Sequence, residues 1–349
     1  MPVKERIEGG VLRGAMNLPP RVQRLLTVRP VRLDGLTLAT EMQLMLRLQT
    51  IAREPKIEEL PLPEARQAML RQTRYVGGEV PIAATRDLTV DGAAGRLRAR
   101  LYVPAALVSA STPASPLLMF LHGGGMMYGD LETHDPACRF LAEQSGVRVL
   151  SIDYRLAPEH QFPAAVEDSA AAYRWVVAHA EDLGADPARL AVGGDSAGGY
   201  LSATTAMTAA EEGLPLAFQL LVYPCTDFTK ESPSRRLFSE GFVLSKRFMD
   251  GAQAAYFPPG TDLFDPQASV LMRQKFPDGL APAYVVTAGF DPLRDEGEAY
   301  AALLAEHGAS VEVKRFPDLT HGFLNVVGCG RTCLAANAEI ASKLSQALA

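Results

Sequence analysis

The chain has 349 residues, 48% of them hydrophobic and 21% charged, with a formal net charge of −6. That composition is globular and excludes disordered and fibrous classes. It contains no basic block of the kind that binds nucleic acid and no run of about 18 apolar residues that would span a membrane.

The N-terminus, Met1-Pro2-Val3-Lys4-Glu5-Arg6-Ile7-Glu8, lacks a continuous apolar core and does not read as a signal peptide. A cytoplasmic protein is expected, with no nucleic-acid and no membrane partner. Cys138, Cys225, Cys329 and Cys333 form no CxxC pair and are expected to be reduced, buried thiols. Cys329 and Cys333 are four apart, which on a helix places them on one face.

The first 80 or so residues read as helical. Leu38, Met42, Met45, Leu48 and Ile51 recur at helical spacing. Glu64 to Arg74 forms a second helix with Pro63 at its start, and Gly77-Gly78 ends it. This prelude is either a regulatory piece or a cap over a site. Strands follow. Asp87 to Val90 and Leu97 to Val103 alternate apolar with polar around Asp91-Gly92, predicting an antiparallel pair with one wet face. Ser109 to Pro116 reads as a surface loop.

Continuous apolar runs then alternate with helical patterns. The runs are Leu117–Leu121, Val147–Ile152, Leu190–Gly193, Phe218–Tyr223 and Tyr284–Ala288. The helices between them include Ala164 to His179 and Ala197 to Glu212. Buried runs of this kind predict a mostly parallel sheet with helices on both faces, an α/β fold. About 60 residues separate Tyr223 from Tyr284, more than a crossover needs. They carry Phe228, Phe238, Phe242, Phe248, Tyr256 and Phe257, which points to a second cap piece, with core packing as the plainer reading. A last strand, Val311 to Phe316, precedes a helix from about Leu334 to Leu348.

Gly194-Asp195-Ser196-Ala197-Gly198 sits where an apolar run gives way to a long helix, the setting of a nucleophile elbow. A serine hydroxyl is a poor nucleophile until a base takes its proton. Six histidines compete for that role: His122, His134, His160, His179, His307 and His321. His179 and His307 fall in helical patterns. His321 lies just after the last strand and before Gly322, which makes it the base. Asp291, after the strand ending at Ala288, is the carboxylate expected to orient it. Its plainer role is to cap the helix opened by Pro292, and Asp227 is its rival. His122-Gly123-Gly124-Gly125 follows a buried strand and supplies amides for an oxyanion. His122 itself is expected to hold that loop rather than to react. Met126 and Met127 soften the acyl site or simply fill space.

These motifs, together with Tyr154-Arg155-Leu156-Ala157-Pro158-Glu159, Phe162-Pro163-Ala164, Asp291-Pro292-Leu293-Arg294-Asp295-Glu296-Gly297 and His321-Gly322-Phe323, run in order over about 200 residues. The chain resembles the hormone-sensitive-lipase-like family of α/β-hydrolases, the bacterial esterases with a GDSAG signature. The resemblance implies an α/β-hydrolase fold: eight strands, the second antiparallel, with a helical cap. It divides the chain into a cap segment at 1–80, a catalytic core at 81–224 and 266–349, and an inserted cap segment at 225–265. It implies Ser196 as nucleophile, Asp291 as acid and His321 as base, with the amides of Gly124, Gly125 and Ala197 as oxyanion donors. Met126, Met127, Tyr128 and Phe323 are the expected substrate contacts, and Arg155 and Glu159 a loop-fixing charge set.

The function expected is a serine carboxylesterase acting on short- to medium-chain acyl esters, with no cofactor and no metal. Its rivals are an amidase, a detoxifying hydrolase for one compound, and a non-catalytic ligand-binding protein. Strand 311–316 is expected at a sheet edge, where pairing across a two-fold would give a homodimer.

Overall fold

The computed structural model describes residues 3–27, 29–53, 55–108 and 114–349. Eight strands form one sheet: β1 (Ala84–Gly92), β2 (Gly95–Val103), β3 (Ser115–Leu121), β4 (Arg148–Ile152), β5 (Ala185–Asp195), β6 (Phe218–Val222), β7 (Ala283–Phe290) and β8 (Val311–Thr320). Their spatial order is β8-β7-β6-β5-β3-β4-β2-β1. Strand β2 runs antiparallel to both its neighbours, β1 and β4, and the remaining pairs are parallel.

The helices are α1 (Val3–Met16), α2 (Pro20–Thr27), α3 (Thr40–Ala52), α4 (Leu62–Gly77), α5 (Asp135–Ser145), α6 (Ala164–Ala178), α7 (Ala197–Glu212), α8 (Pro233–Leu237), α9 (Lys246–Tyr256), α10 (Arg294–Glu306) and α11 (Arg331–Ala347). The strands' two-residue period splits the core in two. From β3, Leu117, Met119 and Leu121 pack with side chains of α6, α7 and α10, while Leu118 and Phe120 pack with those of α5 and α11. Burial on both faces is why these strands read as unbroken apolar runs.

The N-terminal helices join the second layer through Met16, Met42 and Met45. Glu41 of α3 also reaches the start of α11, accepting the amides of Thr332 at 2.8 Å and Arg331 at 3.1 Å. A carboxylate there satisfies first-turn donors that the helix leaves open and opposes the helix dipole.

Several local expectations are corrected. The apolar stripe of α3 fades: Ile51 is 64% exposed. The hairpin turns at Ala93-Ala94, because Gly92 and Gly95 already pair. The turn is held from outside, by Asp168 of α6 accepting the Ala93 amide at 2.9 Å. Ser115 and Pro116 belong to β3, and residues 109–113 of the expected loop lie outside the described residues. Cys329 precedes α11 rather than sharing its face with Cys333. All four cysteines are free, and Cys138, Cys329 and Cys333 are buried.

The long segment between β6 and β7 carries α8 and α9. Its aromatics divide into groups. Phe228 and Phe257 meet edge-on at 4.9 Å, Phe238 and Phe242 lie 5.5 Å apart with Phe242 5.4 Å from Phe290, and Phe248 sits 5.4 Å from Tyr128.

Candidate active site

Strand β5 ends at Asp195 and α7 begins at Ala197, leaving Ser196 alone in the turn at φ 56°, ψ −118°. That conformation is sparsely populated for a side-chain-bearing residue. It is held by the Ser196 amide donating to Val222 O at 2.9 Å. Gly198 has to be glycine because the turn presses on β3: a Cβ there would collide with Leu121 O and come within 2.8 Å of His122 O. Since α7 starts at Ala197, that amide is a first-turn donor with no partner in its own helix.

The Ser196 Oγ lies 3.0 Å from His321 Nε2, and His321 Nδ1 lies 2.8 Å from Asp291 Oδ2. His321 is immediately after β8, which continues beyond Phe316 through a register shift to Thr320. The shift, rather than a long loop, delivers the imidazole. Asp291 follows β7 and is fully buried. Its Oδ1 accepts the Leu293 amide at 2.8 Å, and α10 begins only at Arg294. The helix-start role and the histidine-orienting role are therefore divided between its two oxygens. Asp227 is elsewhere: its Oδ1 accepts from the amide and hydroxyl of Thr229, at 2.7 and 2.6 Å.

The glycine loop turns sharply, with φ of 121° at Gly124, 62° at Gly125 and 57° at Met126. At Gly124 a Cβ would collide with Tyr128 O. Among the described residues the amides of Gly124 and Gly125 donate to no protein acceptor. The Gly123 amide does, to Asp195 Oδ1 at 2.8 Å. His122 keeps to the loop, its Nδ1 2.9 Å from Gly123 O and its ring stacked on Tyr154 at 4.3 Å. Burial depresses its pKa, and His134 adds to the effect.

Asp195, the variable letter of the pentapeptide, organises the floor. Besides Gly123 it meets His134 Nε2 at 3.2 Å and the Tyr223 hydroxyl at 3.3 Å. Burial works to raise its pKa, but His134, the Gly123 amide and His321 more than offset this, so its carboxyl stays below its ordinary value. Tyr223 also carries the His321 ring, at 4.6 Å between centroids.

Arg66 of α4 ties the N-terminal segment to the same loop. It donates to Met127 O at 3.0 Å and Ala157 O at 3.1 Å, and pairs both terminal nitrogens with Glu159, at 2.7 and 2.8 Å. The Glu159 carboxyl is held down to about 2, chiefly by that hydrogen-bonded guanidinium. Arg155 instead forks onto Asp168, at 2.7 and 3.0 Å. Arg155 and Glu159 thus fix the loop separately, not as one set. Asp195, His134, Tyr223 and Arg66 were not assigned roles from the sequence; only Asp195 sat inside a motif.

A narrow cavity of about 40 Å³ opens beside Ser196, lined by Gly125, Met126, Phe228, Leu244, Phe248 and Arg235 among others. Of the expected substrate contacts, Met126 lines it. Tyr128 backs Phe248, Met127 is engaged by Arg66, and Phe323 is fully buried in the core against Tyr223 and Phe316. A larger surface hollow of about 370 Å³ lies along α9 by Asp250 and Thr261, and contains none of Ser196, His321 or Asp291.

A mostly parallel sheet with a serine on a strand-to-helix turn and a histidine–carboxylate pair beyond the last strands defines an α/β-hydrolase. Residues 118–325 match the family model described as alpha/beta hydrolase fold. The chain belongs to that family, in its hormone-sensitive-lipase-like branch. It is 42% identical to a carboxylic ester hydrolase, LipN, of Mycobacterium tuberculosis, over 97% of this chain and 92% of the relative. An ethyl acetate hydrolase of Pseudomonas putida is 34% identical over 83% of this chain and 91% of its own length. Among solved structures, an ester hydrolase from the metagenome of Lake Arreo, complexed with a bipyridine phosphonate derivative, superposes with a TM-score of 0.84. It is 42% identical, and the match covers 88% of this chain and 98% of that one.

Proposed function

We propose that the protein is a serine carboxylesterase acting on short- to medium-chain acyl esters through an acyl-enzyme. The observation that carries the reading is the hydrogen-bonded line from Ser196 through His321 to the buried Asp291, opening on a cleft. Relatives named as ester hydrolases at 42% and 34% identity support the ester as substrate.

His321 Nε2 takes the Ser196 proton as Oγ attacks the ester carbonyl. The tetrahedral oxyanion is met by the amides of Gly124, Gly125 and Ala197. Each such donor is worth about 3 kcal/mol of barrier in sites of this kind. His321 then hands the proton to the leaving alcohol, and water repeats the cycle on the acyl group. These side chains and amides complete the chemistry, and no cofactor enters the proposal.

The volume beside Ser196, about 40 Å³, favours a short acyl group. Residues 1–80 and 225–265 act as the cap: Arg66 from the first grips the oxyanion loop, and Phe248 and Ala252 from the second close over Gly125. An amidase would need the same triad, so the leaving group has to be tested directly. A panel of p-nitrophenyl esters from acetate to palmitate, with an anilide of the best acid, is expected to give highest kcat/KM at two to six acyl carbons and weak anilide turnover. An optimum at palmitate, or an anilide turned over as fast as its ester, would overturn the reading.

Free thiols at Cys138, Cys329 and Cys333 support a cytoplasmic location. Among the described residues strand β8 pairs only with β7, and Val313 is 47% exposed, which supports a homodimer across residues 311–316. Light scattering is expected to give twice the chain mass of 37.5 kDa, and a proline at Val313 to halve it. A single-chain mass for the unaltered protein would end the dimer.

A further inference from the structure

The cleft beside Ser196 is largely hydrocarbon, from Phe228, Leu244, Phe248, Met249 and Leu293, yet a guanidinium enters its lining. It belongs to Arg235 of α8, whose side chain is 11% exposed. An arginine in such surroundings is costly unless its donors find partners. Most do. The Nε donates to Glu296 Oε2 at 2.6 Å, and one terminal nitrogen, Nη2, donates to Glu296 Oε1 at 3.1 Å and to Asp227 O at 2.7 Å. The same Nη2 approaches Cys225 Sγ at 3.8 Å, and the Cys225 amide donates to Ser196 O at 3.3 Å, so the guanidinium is one residue removed from the nucleophile.

Nη1, with two N–H donors, has no hydrogen-bond partner among the described residues. Glu296 does not require it: besides Arg235, the carboxylate collects the Thr226 and Asp227 amides at 2.9 and 3.3 Å. Nη1 is not sealed from solvent, so water can reach it in the free protein. A substrate group that fills the cleft displaces that water, and a plain alkyl group leaves two charged donors desolvated and unpaired. A site built this way discriminates against the analogue that lacks the acceptor.

We propose that Arg235 Nη1 forms a polar subsite for a carbonyl or carboxylate oxygen on the substrate group occupying this cleft, so that acceptor-bearing esters are preferred to plain alkyl esters. The proposal rests on the esterase reading above and names its substrate class. The cleft's small volume requires the acceptor to lie within a few atoms of the ester carbonyl.

The test uses two matched pairs of nearly equal shape: p-nitrophenyl 4-oxopentanoate against 4-methylpentanoate, and 4-oxopentyl acetate against 4-methylpentyl acetate. Each rate is normalised to hydrolysis by hydroxide. The unaltered protein is expected to favour the oxo member of one pair at least about ten-fold in kcat/KM, the worth of one charge-assisted hydrogen bond. The pair that responds says whether the acyl or the alcohol group fills the cleft. Arg235→Lys keeps a cation for Glu296 but withdraws Nη1, and is expected to bring the ratio within two-fold. Equal rates within both pairs, or a ratio unchanged in a folded Arg235→Lys protein, overturn the subsite. Should none of the four esters be hydrolysed, it is the esterase reading that falls.

Discussion

Ser196→Ala is expected to lower kcat by about 10⁴-fold or more, equivalent to about 5.5 kcal/mol of barrier, with little change in thermal unfolding. The hydroxyl's hydrogen bond is to His321 Nε2 at 3.0 Å, and Ser196 is only partly buried, so water can take the hydroxyl's place beside the imidazole. The backbone strain at φ 56° is common to serine and alanine. His321→Ala should match the kinetic loss but not the stability. It leaves the fully buried Asp291 Oδ2 without its partner, at a cost of about 1–3 kcal/mol. The double variant should be no slower than either single one, because the two residues act as a unit. Steady-state kinetics and calorimetry on the three proteins check this. A Ser196→Ala protein retaining a few per cent of activity would remove Ser196 from the mechanism.

Asp291→Asn has a more specific consequence, because its surroundings fix which way an amide would face. Oδ1 is held by the Leu293 amide, a donor, at 2.8 Å. The asparagine oxygen must therefore stay there, and its NH₂ must face His321 Nδ1. An NH₂ at that position demands an unprotonated Nδ1, so the proton sits on Nε2, the atom that has to accept from Ser196. A loss of about 10⁴-fold in kcat follows from the wrong tautomer, with binding little altered. The KM should move by less than about three-fold. A fall confined to KM, or a kcat within ten-fold of the parent, would show that Asp291 only shapes the turn into α10.

The residues proposed to carry the chemistry were legible because each is tied to a local signature. A glycine pair around Ser196, a glycine run after β3, and a residue following each of the last two strands are all visible along the chain. The parallel strands were legible for the same reason: burial on both faces makes their apolar runs continuous. Local pattern failed where a distant residue intervened. Asp-Gly at 91–92 has strong turn chemistry, but Asp168 receives the Ala93 amide and the turn falls two residues later. The apolar alternation of the last strand gives out at Phe316, yet β8 resumes after a register shift and places His321 at its tip.

The sequence by itself determined the α/β architecture, the order of Ser196, Asp291 and His321, and the glycines that make room for the elbow and for the sharp loop after β3. These depend on backbone geometry and two-residue periodicity, which a short window contains. Only the tertiary structure decided what surrounds them. Asp195 reaches 72 residues back to the Gly123 amide, Arg66 crosses 61 residues to Met127 O, and Arg235 spans 61 to Glu296. It also sent Phe323 into the core and brought Arg235 into the cleft. Burial and pairing of polar groups depend on what the whole chain folds around them, and no spacing between neighbours records that.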